Sequence, residues 1–185
     1  RRNPITKLPG TDAIKRETNH RLARGMSIAL CYIDILNFKP FAAAKGAQSQ
    51  QKALEFMTKL LQTLLRSIGV YEAYLAHMGG EHFVVLLNLE DYERFCGSLT
   101  DAFDQQVRQL YTPEEVQEGS VRAVDKRGVE GKYPLMSLSI GVANNQFREF
   151  KSAKKMFEVL AQLRQMARSS SGKSTLFVDR RRTDR

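Results

Sequence analysis

Apolar residues run almost unbroken in some stretches of the chain and recur every three or four positions in others, and the alternation of these two patterns predicts the elements. After a turn-like lead-in at 3–10 ("NPITKLPG"), a helix is expected from a cap at Thr11 or Asp12 to about Leu22. "MSIALCYIDI" (26–35) reads as a buried strand ending near Asp34. "QKALEFMTKLLQTLLRS" places Leu54, Met57, Leu61 and Leu64 on one face of a long amphipathic helix. "VYEAYLAHM" and "HFVVLLNL" bracket Gly79-Gly80 and predict a β-hairpin. A second long helix follows over 89–111, then a polar connector, "YTPEEVQEG". Strands are expected at 119–124 and 134–143, joined by a glycine-containing turn. A helix over 152–168 carries Met156, Phe157, Leu160 and Leu163 on one face, and a short strand at 174–178 closes the chain. Strand, helix, hairpin, helix, strand, helix, strand is an α+β order with a mostly antiparallel central sheet flanked by helices.

Composition narrows the class. The 185 residues are 42% hydrophobic, which fits one domain spanning 1–185 with a sizeable core. No apolar run approaches the roughly 20 residues that span a bilayer, and no secretory leader is visible, so the segment reads as cytoplasmic, any membrane anchor lying outside it. The first residue is not Met and the last are "RRRTDR", which reads as a domain excised from a larger multidomain protein. Cys31 falls in an apolar run and reads as a core residue, and two cysteines without a CxxC give no zinc signature. The net charge of +9 is concentrated in part at the two ends. No aromatic residues interleave the basic runs, so it reads as solvated surface and no nucleic-acid partner is expected.

The candidate chemistry sits at the hairpin. "HMGGEHFVVLL", preceded by "NPITKLPG" and "YIDILNFKPF" and followed by "LSIGVA" (138–143), resembles the GGDEF family of diguanylate cyclase domains. The four segments match in order, and together they are far more specific than a lone Gly-Gly turn. The resemblance implies a palm-like fold with a ferredoxin-like core. It also implies an activity, the condensation of two GTP into cyclic di-GMP, with one GTP on each subunit of a homodimer. In active members, carboxylates hold divalent cations on the triphosphate; the cofactor implied here is Mg²⁺, and only where a nucleotide binds.

Carried over residue by residue, the resemblance makes Asp34, the Ile35 backbone carbonyl and Glu81 the metal ligands. Gly79, Gly80, Phe38 and Lys39 become nucleotide-binding positions, joined by Arg168 and Lys173 in "ARSSSGK", where the family has its phosphate-binding "AKxxGR". The departures are as informative. His82 replaces the second acidic residue of the signature, and imidazole suits softer metals than Mg²⁺. Leu36 replaces the second Asp of "DxD". Ala42 and Gln51 stand where the family reads the guanine edge, and each unpaired buried donor costs about 1–3 kcal/mol. Val70 and Ala73 replace the Arg and Asp of the product-binding "RxxD", and Arg66 lies a turn too early to substitute.

Two functional expectations follow. The first is a degenerate, catalytically inactive domain, with Glu81 a remnant, acting as a regulatory, dimerisation or nucleotide-sensing module in cyclic di-GMP signalling. It would bind GTP or a related nucleotide weakly, beside attached sensor, receiver or EAL domains. The alternative is an active diguanylate cyclase.

Overall fold

The computed structural model describes residues 1–166 and 172–182. Its centre is a five-stranded sheet built on β1 (Ile28–Leu36), the apolar run of the sequence. The hairpin strands β2 (Tyr74–Gly79) and β3 (His82–Asn88) lie on one side of β1. On the other side are β6 (Ser137–Asn144) and β7 (Thr175–Val178), giving the order β2-β3-β1-β6-β7. Every pairing is antiparallel except the edge pair β6–β7, so the α+β architecture expected from the pattern is the one observed.

Two layers of helix cover the sheet, and the strand period of two decides which residue meets which layer. Ala29, Cys31, Ile33 and Ile35 of β1, with Phe83, Val85 and Leu87 of β3, pack beneath α3 (Ala47–Ser67) and α4 (Tyr92–Gln106). Leu30 and Tyr32, with Val84 and Leu86, face α1 (Thr11–Ala23) and α6 (Ala153–Met166). Cys31 and Cys96 are reduced and fully buried where β1 meets α4, with their sulfurs 3.8 Å apart. Among the described residues no helix is long and apolar enough to cross a membrane.

Several local expectations change. Gly10, not Thr11 or Asp12, occupies the N-cap of α1; Thr11 is the first helical residue, and its hydroxyl donates to the Met78 sulfur at 3.5 Å. A short helix, α2 (Phe38–Lys45), follows β1 directly, because Asn37 takes the left-handed conformation (φ 62°) that an asparagine tolerates. The polar connector holds helix α5 (Pro113–Glu118), opened by a reciprocal capping box between Thr112 and Glu115 with Pro113 at the first position. The two later strand candidates do not pair with each other. Instead β4 (Ser120–Val124) turns back on β5 (Glu130–Pro134) as a separate two-stranded ribbon, and β6 joins the main sheet.

Candidate functional site

The lead-in segment fixes one side of the hairpin. The Asn3 side chain accepts from the amides of Ile5 and Thr6, and the Pro9 carbonyl accepts from the His77 amide at 2.9 Å, tying this segment to β2. His77 is 3% exposed, and its ring lies parallel to that of Phe83 with centroids 4.3 Å apart. Its Nε2–H donates to the Gly80 carbonyl at 2.7 Å, which leaves Nδ1 to accept from the Thr6 hydroxyl at 3.1 Å. His77 is therefore a neutral strut that holds the turn. Gly79 (φ 102°) and Gly80 (φ 53°) adopt backbone conformations that strain any L side chain, which explains the paired glycines.

Burial holds the His77 imidazole below its ordinary value of 6.5, outweighing the favourable contact with the Gly80 carbonyl. A depressed histidine contributes stability that is complete above the unfolded value and is lost as pH falls through the folded one. The melting temperature should therefore begin to drop as pH falls below about 6.5, before the carboxylates titrate. A His77→Gln variant should lack that first limb in thermal melts between pH 7.5 and 5.5. An unchanged pH profile would remove the assignment.

The turn delivers Glu81 and His82 to the end of β1. The Ile35 amide donates to the Glu81 carbonyl at 3.0 Å, and Asp34 stands directly opposite His82 in the β1–β3 register. Asp34 and Tyr32 share the face covered by α6, and from that helix comes a residue the sequence pattern did not assign. Arg164 Nε donates to Asp34 Oδ2 at 2.8 Å and its Nη2 to Oδ1 at 3.3 Å, while the guanidinium carbon lies 4.2 Å from the Tyr32 ring centroid. His82 Nδ1 also donates to Asp34 Oδ1. Burial alone would raise the Asp34 carboxyl; the hydrogen bonds from His82 and Arg164 outweigh it and hold it below its usual range. The Glu81 charge acts on the same guanidinium and, with Asp34, holds it firmly protonated against the opposing effect of burial.

This donor set does not suit Mg²⁺, which takes near-octahedral oxygen ligands. Both Asp34 oxygens are committed to the cationic Arg164 and to His82, leaving Glu81 as the remaining carboxylate of the expected ligands. Among the described residues no group of three or more His, Cys, Asp or Glu side chains is arranged to hold a metal ion.

The other expected positions are dispersed around a neighbouring cavity. Phe38, 3% exposed, roots α2 in the core, while Lys39 is exposed at the mouth. Ala42, Gln50, Gly80 and Glu81 line the cavity wall, but the Gln51 amide donates along its own helix to Glu55 at 3.0 Å. Lys173 is exposed beside Ser174, which the Asp104 carboxylate anchors through its amide (3.0 Å) and hydroxyl (2.5 Å). Arg168 lies outside the described residues. Val70 is buried and Arg66 exposed on the last turn of α3, and the "VYEA" segment joins the core through its first residue and, partly buried, its last, Ala73.

The profile of the family described as "Diguanylate cyclase, GGDEF domain" matches residues 2–168. No curated protein matches the chain by sequence. Among solved structures, the diguanylate cyclase SiaD from Pseudomonas aeruginosa, in complex with its activator SiaC, superposes with a TM-score of 0.63 at 22% identity over 95% of this chain. This chain spans 61% of that protein. The GGDEF domain of DgcB from Caulobacter crescentus, in complex with c-di-GMP, gives 0.63 at 15% identity, covering 95% of this chain and 94% of its own. The active GGEEF domain of a diguanylate cyclase from Vibrio cholerae gives 0.59 at 14%, covering 92% and 97%. At these identities the likeness is one of fold.

Proposed function

Because the chain belongs to the GGDEF family of diguanylate cyclase domains, we propose that it serves cyclic di-GMP signalling as a non-catalytic regulatory module. The observation that carries this reading is the state of Asp34, whose two oxygens are held by Arg164 and His82 instead of standing open toward a cation. A guanidinium in a two-bonded arrangement with a carboxylate is a strong, charge-assisted contact, and here it is 34% exposed against 14% for Asp34. It neutralises the carboxylate on which metal-assisted phosphoryl transfer would depend. Loss of base-reading groups at Ala42 and Gln51 points the same way, leaving GTP at most a weak ligand. In this reading the domain is one of several in a larger cytoplasmic protein, pairs with a second copy, and relays a signal between attached sensor, receiver or EAL domains.

The competing reading, an active cyclase, draws on the retention of Asp34, Glu81 and the glycine turn, and requires Arg164 to swing away from Asp34. One assay separates the two. The protein at high concentration is incubated with GTP and Mg²⁺ or Mn²⁺, and products are identified by mass spectrometry. We expect no cyclic di-GMP above a Glu81→Ala control; product clearly above that control would establish the cyclase instead.

A further inference from the structure

The cavity beside the hairpin has the wrong lining for a guanine nucleotide and a suitable one for another class of ligand. It encloses ≈ 790 Å³ between α2, the turn at Gly80-Glu81 and the β4–β5 ribbon, within the range of about 300–1,000 Å³ common to ligand pockets. Ala42 and Ala43 form one wall; Ala123, Val124 and the Tyr133 ring form the other. Val124 is 54% exposed at the rim, an apolar surface left to water. A Cβ at Gly131 would come to 3.0 Å from the Tyr133 ring, so the glycine makes room for an aromatic side chain beside it. Gln50 supplies the cavity's sole side-chain amide among the described residues, too little for a base whose edge carries several donors and acceptors.

Charge at the mouth gives the second half of the argument. Asp125 is saturated: its carboxylate accepts from the Arg127 amide (2.8 Å), the Arg127 guanidinium (3.1 and 3.3 Å) and the Val129 amide (3.0 Å), so Asp125 and Arg127 cancel. Glu81 lines the same cavity and sets one carboxylate against the cations there. Lys39 and Lys126 are exposed at the opening, and neither has an ion-pair partner among the described residues. A slot with apolar and aromatic walls, at whose mouth two ammonium groups outnumber the one Glu81 carboxylate, matches a flat, apolar ring that carries one negative group.

We propose that this cavity binds a planar aromatic anion of the aryl carboxylate or aryl sulfonate class, its ring between Ala42 and Tyr133 and its anionic group toward Lys39 and Lys126. The proposal rests on the reading of the adjacent carboxylate site as non-catalytic, and it gives that module a small-molecule input.

The test is a titration of the ¹⁵N-labelled domain with 1-naphthalenesulfonate, followed by amide chemical shifts, beside parallel titrations with neutral 1-naphthalenemethanol and with GTP plus Mg²⁺. We expect saturable shifts confined to α2, the turn and the β4–β5 ribbon, with affinity at least tenfold above the neutral alcohol. The charge reversal Lys39→Glu with Lys126→Glu should weaken binding at least tenfold. Ala43→Phe, a substitution at an exposed helical position, should abolish it by filling the slot. Shifts that fail to saturate, or binding that survives both variants, would overturn the inference, as would GTP displacing the probe from the same residues with higher affinity. Conversion of GTP into cyclic di-GMP in that arm defeats the non-catalytic reading. A silent naphthalenesulfonate titration without GTP turnover defeats the ligand proposal alone.

Discussion

His82→Glu alone leaves the domain without a usable divalent-cation site, whereas His82→Glu combined with Arg164→Met binds Mn²⁺ at least tenfold more tightly than the parent chain. Restoring the missing signature carboxylate looks sufficient from the sequence, but position 82 faces Asp34 directly across the β1–β3 ladder, and Arg164 already spans both Asp34 oxygens. A new carboxylate there would give that guanidinium a second anionic partner and hold it more firmly. Removing the cation reverses the balance. Asp34, Glu81 and the carboxylate introduced at position 82 would then crowd at one strand end, and their mutual repulsion is relieved by a hard divalent ion. Methionine is the suitable replacement because it keeps an unbranched apolar stem against Tyr32, over whose ring Arg164 now lies. Electron paramagnetic resonance of Mn²⁺ reads the free ion directly. Equal affinity in the single and double variants would mean that Arg164 does not guard the site, and an Asp34→Asn change added to the double variant should abolish the gain.

Arg164 escapes a reading of the sequence for a physical reason. Its partner lies 130 residues away, and the contact depends on which face of β1 carries Asp34 and on which strand end α6 crosses. Part of it is nonetheless legible. Met156, Leu160 and Arg164 are spaced by four, so the arginine continues the buried row of its helix, and a cation at the end of an apolar row calls for a buried or half-buried anion. The elements easiest to read are those with one strong period: the first strand, the hairpin, the long helix and the last helix. Those missed are short or polar. Helix α5 has no buried residue and announces itself only through Thr112, Pro113 and Glu115, a helix-start signal inside what otherwise looks like a connector. The β4–β5 ribbon alternates weakly because β5 has no fully buried position, so its second strand merges with the next one in the sequence pattern. The difference between Gln50 at the cavity and Gln51 along the helix is a rotation of one residue, about 100°, which spacing to a motif cannot resolve.

The largest loss of stability from a single change near the site is expected at Phe83, the last residue of "GGEHF". Phe83 is fully buried, stands opposite Ile33 on β1 and His77 on β2, and stacks on the His77 ring at 4.3 Å. Phe83→Ala removes that packing and leaves a cavity, at a cost of about 3–5 kcal/mol. In a domain of this size that corresponds to a drop in melting temperature of roughly 10 °C. The loss spreads to the turn by a definite route. His77 without its stacking partner is free to rotate, and the Gly80 carbonyl and Thr6 hydroxyl lose the ring nitrogens they bond. Hydrogen exchange should therefore accelerate in β2, the turn and the lead-in segment more than in β6. Because a loss of that size approaches the whole stability of a small domain, Phe83→Leu provides the graded comparison: it keeps most of the volume, removes the aromatic stack, and should cost less than about 1.5 kcal/mol. Denaturant unfolding of both variants decides the matter. If Phe83→Ala falls within about 1 kcal/mol of the parent, the hairpin is held by its backbone ladder alone, and the lead-in, His77 and Phe83 do not form the strut that positions Glu81.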